Sequence, residues 1–446
     1  MSIIDFKEIS KRVSDFDTYT YYGIVEKISG LSIEANGPMV EIGKLCKIYS
    51  LNEENWIYAE VVGFRQKSVM LMPFGDLKGI GPGSKVVSTN SHMSVNVSNE
   101  VIGRILDGLG KPIDNKGPIK DGDLISIENQ PLCPLKRKRI KNVLPLGIKA
   151  IDGLLTCGVG QRIGVFAGSG VGKSTLIGMI ARNSEADLNV IALVGERGRE
   201  VNDFIEKDLR EDGLKKSVLV VATSDQPALV RLKSAMLATA IAEYFREQGK
   251  NVLLLMDSIT RFAMAQREVG MSVGEPPVSR GYTPSVFSLL PKLLERSGNS
   301  DKGSVTALYT VLVEGDDLNE PITDAVRGIL DGHIVLSRDL ANRNHYPAID
   351  ILTSVSRLMP DIVSKQHFET AGFIKSMMAV YKDAEDIINI GAYKKGSNSE
   401  IDRAIALNKD IKRFLHQGMN ESVSFQDTIR QMTEIKDGDS DSYEEV

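Results

Sequence analysis

One stretch of this 446-residue chain has the residue types to hold a nucleotide: Ala167-Gly168-Ser169-Gly170-Val171-Gly172-Lys173-Ser174-Thr175. Glycines let backbone N–H groups turn inward around phosphate oxygens. A helix opening at the end of such a loop adds the positive end of its dipole. The stretch follows the apolar run Arg162–Ala167 and precedes a helical pattern, the context a phosphate-binding loop requires. Residues Gly168 to Thr175 are therefore expected to cradle phosphate, with Lys173 neutralising the β- and γ-phosphates and Ser174 placing its hydroxyl on Mg²⁺. Ala167 stands where the common form of the motif has Gly, a departure ahead of the tight turn.

Two carboxylates complete the expected chemistry. The apolar run Leu253-Leu254-Leu255-Met256 ends in Asp257, as does a strand that delivers an acid to the water shell of Mg²⁺. By itself this is a weak signal, because Asp often ends a strand as a helix cap. Glu196, in Gly195-Glu196-Arg197-Gly198-Arg199-Glu200, follows the run Val190–Val194 and is expected to activate an attacking water. Glu200 competes for that role by spacing but lies further past the strand end. Arg197 and Arg199 have three readings: holding the carboxylate, contacting phosphate, or making surface ion pairs.

These residues need a scaffold that brings separate segments to one place. From about Pro145 to Pro360 near-continuous Val, Ile and Leu runs alternate with helical stretches such as Ala228 to Gln248. This predicts an α/β domain with a mostly parallel sheet, whose strand C-termini share one edge. Residues 21–90 read as a small β-barrel of short strands punctuated by glycine. It holds seven basic and seven acidic residues, without the excess a nucleic-acid groove needs. The predicted domains are an amphipathic segment at 1–20, the barrel at 21–90, a connector at 91–145, the core at 146–360, a helical domain at 361–436 and an acidic tail at 437–446. The tail, with five acids and no base, is expected to be disordered. Phe6, Ile9, Val13 and Phe16 share one helical face, suiting either packing on the chain's own domain or docking to a partner. The basic run Lys136-Arg137-Lys138-Arg139 reads as a solvated linker, with nucleic-acid binding or targeting as the functional alternative.

Composition excludes several classes. With 42% hydrophobic and 25% charged residues the chain is a globular protein of several domains. No apolar run reaches membrane-spanning length, and the N-terminus lacks the pattern of a secretory signal. The net charge of -5 disfavours a dedicated nucleic-acid binder. Cys46, Cys133 and Cys157 are far apart, so a disulfide framework is not expected and a reducing cytoplasm fits. The five histidines show no ligand spacing.

The core resembles the RecA-type ATPases related to the catalytic beta subunit of rotary ATP synthases, and most of all the flagellar type III protein-export ATPases (the FliI family). The resemblance spans roughly 21–415. It rests on the phosphate loop, Pro145-Leu-Gly-Ile-Lys-Ala-Ile-Asp-Gly-Leu, Gly195-Glu-Arg-Gly-Arg-Glu, Asp257-Ser-Ile-Thr-Arg-Phe-Ala, Gly274-Glu-Pro-Pro-Val-Ser-Arg-Gly-Tyr-Thr-Pro, Gly315-Asp-Asp-Leu-Asn-Glu-Pro-Ile and Asn344-His-Tyr-Pro-Ala-Ile-Asp. It implies a RecA-like ATPase domain between an N-terminal barrel and a C-terminal helical domain, with ATP and Mg²⁺ as ligands. It implies that Tyr346 stacks on adenine, whereas the residues alone suggest a core tyrosine beside Pro347. It implies that Arg357 reaches into a neighbouring subunit's nucleotide, and that Arg280 and Tyr282 lie on a loop facing a central channel. The enzyme would then be a homo-oligomer, most naturally a hexamer.

The resemblance also implies partners: a stator-like regulatory protein (FliH) at residues 1–20, a central stalk protein, the export gate and export chaperone–cargo complexes. No nucleic acid is expected, and membrane association would be peripheral, at the cytoplasmic face of the inner-membrane export apparatus. Alternatives are the ATPase of an injection-type secretion system, a rotary synthase subunit, an RNA-dependent RecA-type helicase and a noncatalytic relative. Against a synthase subunit, the C-terminal region carries Ile390-Gly-Ala-Tyr-Lys-Lys-Gly-Ser rather than an acidic rotor-contact segment. Against a noncatalytic relative, Lys173, Glu196 and Asp257 are all present.

Overall fold

The computed structural model describes residues 21–444 apart from Asp121, Glu314 and Asp316, with side chains described as far as Gly438. The docking segment expected at 1–20 lies outside the described residues. The described residues form two compact units, one holding those up to Met93 with Glu268–Glu275, the other holding those in Ser94–Arg267 and from Pro276 onward.

In the first unit, strands β1 (Tyr22–Ser29), β2 (Ser32–Asn36), β3 (Leu45–Tyr49), β4 (Trp56–Arg65), β5 (Ser68–Pro73) and β6 (Lys85–Ser88) close into a barrel in the order β1-β2-β5-β4-β3-β6. Alternation decides which residues fill it: Cys46 and Ile48 of β3 point inward, while Lys47 between them faces out. Val25, Ile33, Ala35, Ala59, Val61, Leu71 and Val86 complete the interior. Gly23 is required where β1 passes the Gly37 turn, since a Cβ there would lie 2.0 Å from the Gly37 carbonyl oxygen. Outside, the Lys47 ammonium sits 4.2 Å from the Trp56 ring centre, and Trp56 meets Tyr58 edge-on.

The second unit is built on a nine-stranded sheet. The segment expected to be a connector is partly drawn into it. Strand β7 (Ser94–Val97) pairs with β9 (Asp123–Ser126), and between them β8 (Ile105–Asp107) joins the main sheet as its edge. A turn at Asp107-Gly108 follows β8, the Asp107 carboxylate accepting from the N–H groups of Leu109 and Lys111. The main strands are β10 (Arg162–Ala167), β11 (Leu188–Glu196), β12 (Ser217–Thr223), β13 (Asn251–Asp257), β14 (Gly298–Asn299), β15 (Ser304–Leu312), β16 (Gly332–Leu336) and β17 (Ile349–Ser356). Their order is β17-β16-β10-β15-β13-β11-β12-β8, with β14 pairing beside β15. All pair in parallel except β14 with β15 and β16 with β17. The central strands are buried on both faces, as their unbroken apolar runs require. Helix α1 (Lys173–Asn183) follows β10, and α2 (Ala228–Glu247) packs across β11, β12 and β13.

Helices α3 (Lys365–Asn389), α4 (Ser399–Leu415) and α5 (Phe425–Glu444) form the helical C-terminal region. Ser364 and Asn398 cap the first two, their side-chain oxygens accepting from the N–H groups of His367 and of Glu400 and Ile401. Ile374, Ile411, Phe414 and Met432 join the same apolar cluster as Ile151 and Leu154 of the short helix Lys149–Leu154.

Two expectations are corrected here. Residues 437–444 are not a separate disordered segment: α5 continues through them to Glu444. Thr428 and Met432, fully buried against the short helix, anchor the preceding turns, so each added residue only propagates an existing helix. Nor is the basic run a solvated linker throughout. Arg137 donates to the carbonyl of Ser297 at 2.9 Å and pairs with Glu295 at 3.1 Å, and Lys138 donates to the carbonyl of Asp301 at 2.7 Å. Both strap the segment onto the turn before β15.

Candidate active site

The parallel register brings the expected residues together. Ala167 at the end of β10 pairs with Leu312, and Asp257 at the end of β13 pairs with Leu193, so β11 carries Glu196 three residues further along the same edge. Gly170 and Gly172 have φ of 80° and 88°, a backbone that other residues rarely adopt, and through them the chain curls before α1 begins at Lys173. Val171, expected among the phosphate-binding residues, has its side chain buried in the core, which leaves only its backbone for that role. Gly168, Ser169, Gly170, Gly172, Lys173, Ser174, Thr175, Glu196 and Arg197 all line one cavity of about 780 Å³.

Lys173 forms a short ion pair with Asp257 Oδ1, and its ammonium lies 3.8 Å from Glu196 Oε1. The same Asp257 oxygen accepts a 2.7 Å hydrogen bond from the Thr310 hydroxyl, which is fully buried on β15. Glu196 Oε1 is buried with no hydrogen-bond partner. Burial, the charge of Asp257 and the neighbouring Glu200 carboxyl push the Glu196 pKa up to about 7, with Lys173 pulling the other way. A carboxyl poised there exchanges a proton near neutrality, whereas an ordinary glutamate would be a weaker base.

Arg197 does not hold Glu196. Its exposed side chain turns to Glu200, at 3.5 Å, so of the three readings open to it the surface pair is the one observed, at the rim of the cavity. Arg199 likewise pairs with Asp203, at 3.6 Å. Tyr346 stands at the loop: a Cβ on Gly172 would lie 3.3 Å from its ring, which is 37% exposed rather than buried as a core tyrosine would be. Arg357 is elsewhere. It follows β17, which runs antiparallel to β16, and its backbone N–H bonds Asp331 beside the start of β10. That is the sheet edge opposite Lys173.

Sequence reading passed over several groups at the site. Arg261, Arg267 and Arg338 line the cavity, and the Nε atoms of Arg261 and Arg267 are buried without a hydrogen-bond partner. Thr260 accepts from the Leu312 N–H at 2.8 Å and ties the segment after Asp257 to the end of β15. Arg280, expected on a channel-facing loop, also lines the cavity and pairs with Asp317 at 3.1 Å. The signal available in advance was the polar residues themselves: Thr310 interrupts an apolar strand, and Arg261 and Arg267 recur on one helix.

The oxygen donors at this edge, the Asp257 and Glu196 carboxylates and the Ser174 hydroxyl, suit a hard cation such as Mg²⁺. The partnerless Glu196 oxygen is a ready acceptor for a water of its shell. Among the described residues no group of three or more His, Cys, Asp or Glu could hold a metal, so a cation here needs phosphate and water to complete its coordination.

A parallel sheet with a glycine loop, a Lys-Ser-Thr ending and two carboxylates along one edge defines a P-loop nucleotide-binding protein. Residues 147–356 match the nucleotide-binding domain of the ATP synthase alpha/beta family, residues 25–90 its beta-barrel domain, and residues 363–434 the T3SS EscN ATPase C-terminal domain. The flagellum-specific ATP synthase of Bacillus subtilis is 53% identical over 97% of this chain and 98% of its own length. The type 3 secretion system ATPase of Xanthomonas euvesicatoria is 46% identical over 93% and 94%. The assembled ATPase EscN of the enteropathogenic E. coli type III secretion system superposes with a TM-score of 0.88 at 48% identity, covering 93% of this chain and 99% of that one. The chain belongs to the ATP synthase alpha/beta family, in the group formed by flagellum-specific ATP synthases and type III secretion ATPases.

Proposed function

We propose that this protein is a ring-forming ATPase that hydrolyses Mg-ATP to energise export of flagellar proteins through the flagellar type III secretion apparatus. The observation that carries this reading is the meeting of Lys173, Asp257 and Glu196 at one sheet edge beside the glycine loop. Loop N–H groups and Lys173 bind the phosphates. Asp257, oriented by Thr310, and Ser174 would hold Mg²⁺, which when bound neutralises charge on the β- and γ-phosphates. Glu196 orients the attacking water and accepts its proton, a role its raised pKa suits. Arg261 and Arg267 offer cationic N–H groups along the cavity wall. Tyr346 provides a platform for the base.

Arg357, at the sheet edge opposite its own chain's Lys173, serves a neighbouring subunit in a homo-oligomeric, sixfold ring. The EscN structure solved with its central stalk EscO is a precedent for a stalk partner, and 47% identity supports carrying it to this chain. Residues 1–20 would dock a stator-like regulator (FliH), with the export gate and chaperone–cargo complexes as further partners at the cytoplasmic face of the membrane. Among the described residues no helix is long and apolar enough to cross a membrane.

The test is genetic and enzymatic together. Replacing the chromosomal gene with a Glu196→Gln allele should abolish flagellar filaments while the purified variant still binds ATP. Normal filaments with lost secretion of injected effectors would favour the injection-system ATPase, the second reading supported by the EscN likeness.

A further inference from the structure

Among the described residues the Tyr346 hydroxyl has no hydrogen-bond partner, yet a stacking platform must be held in place. Its backbone carbonyl accepts a 2.9 Å hydrogen bond from the N–H of Gln417, just past the end of α4. Gln417 is 2% exposed and its side chain is fully engaged. Its Oε1 accepts from the Lys149 N–H at 2.9 Å, and its Nε2 donates to the carbonyls of Gly147 and Glu421 at 2.9 and 3.0 Å. Gly147 and Lys149 are themselves fixed: Asp152 accepts from the Gly147 N–H at 2.8 Å, and a Cβ on Gly147 would strike Asn183 at the end of α1. Further clamps hold the same turn. Glu421 takes the Lys149 ammonium at 3.2 Å and the Gly418 N–H at 3.0 Å, and Arg182 of α1 donates to the Met419 carbonyl at 2.6 Å.

We propose that Gln417 is a positioning residue for nucleotide base recognition: it locks the turn 416–421 of the helical region to the loop 147–149 and so sets where Tyr346 stands over Gly172. A buried amide with each of its groups matched is costly to disturb, because removing it leaves backbone donors and acceptors unpaired. Specificity therefore depends on a residue that touches neither base nor phosphate. The inference rests on the base-platform reading of Tyr346.

Two ligands separate base from phosphate recognition: ADP and the base-free inorganic tripolyphosphate, each with Mg²⁺, titrated calorimetrically into the full-length protein. Gln417→Ala should weaken ADP binding by roughly tenfold and leave tripolyphosphate binding within about twofold of wild type, so the ratio of the two affinities changes. The loss in ATP turnover should fall on KM more than on kcat. Gln417→Glu keeps the acceptor for Lys149 but sets a carboxylate oxygen against the carbonyls of Gly147 and Glu421, and should shift the ratio in the same direction. Gln417→Asn offers no rescue, since its side chain is one carbon too short to span both loops. Equal loss of both ligands in both the Ala and Glu variants would overturn the proposal, as would an unchanged ratio. Tyr346→Ala serves as the reference: if it leaves the ratio at the wild-type value the base-platform reading itself falls, whereas a shift with Tyr346→Ala and none with the Gln417 variants removes Gln417 alone.

Discussion

The two edges of the central sheet are built from the same strands and have opposite characters. At one edge β10, β11 and β13 end in the glycine loop, Glu196 and Asp257, and three charged side chains meet beside a cavity. At the other, Arg162 at the start of β10 pairs with Asp331, and Arg357 hangs beside it with a side-chain hydrogen bond to the Leu330 carbonyl at 3.3 Å. Arg162–Ala167 separates the two, a span of roughly 17 Å at the usual strand rise. The first edge makes chemical sense inside one chain. The second has no role inside one chain under the function proposed above, which assigns Arg357 to a neighbouring chain's nucleotide.

Experiments that act on one edge at a time test this contrast. Lys173→Ala should have the largest effect, eliminating measurable nucleotide binding by calorimetry. Arg357→Ala should bind ATP normally but lose about 10³-fold or more in kcat. Mixing the two inactive variants is the sharper form, since an Arg357→Ala subunit with an intact Lys173 can accept the arginine of a Lys173→Ala neighbour. Recovered hydrolysis in the mixture supports action between chains, and none would place both residues in one site after all. Glu196→Gln should keep ATP binding and lower kcat by ~10²–10⁴; turnover like wild type would dismiss it as the base.

The acidity of Glu196 gives a graded prediction. With its pKa raised to about 7 by burial and by Asp257, the carboxyl holds its proton below that pH and cannot take one from water. The kcat/KM should therefore rise as pH climbs toward about 7 and level off above it, and this limb should be missing from the residual activity of Glu196→Gln. The smallest change is expected from Thr310→Val, which removes one hydrogen bond to Asp257 that still keeps Lys173. A loss of about fivefold in kcat/KM, roughly 1 kcal/mol, restored by Thr310→Ser, would assign the hydroxyl an orienting role.

The reactive edge was largely readable in the sequence because its chemistry is local. Glycine spacing, a lysine and a hydroxyl within nine residues specify a phosphate loop wherever a strand precedes them. Apolar runs of strand length announced the parallel sheet for the same reason. What escaped depends on pairing between distant segments. Strand β8 is three residues long and exists because β12 needs a neighbour. The arginine strap at Arg137 reads as linker charge until the Ser297 carbonyl is placed in its reach. The acidic tail reads as disorder until the buried Met432 anchors the helix that runs into it. Glu196 was legible as a carboxylate at the right edge, but its basicity was not, because burial and the Asp257 charge belong to the fold.

The closure of the first unit's barrel narrows how other molecules can recognise it. With β1 bonded to β6, no strand in the ring offers a free ladder of backbone N–H and C=O groups, so recognition by strand addition is ruled out around its girth. Any protein that grips this barrel's wall has to read outward side chains instead, and Trp56 and Tyr58, bracketing the Lys47 ammonium, are the largest chemical handle on the β3–β4 face.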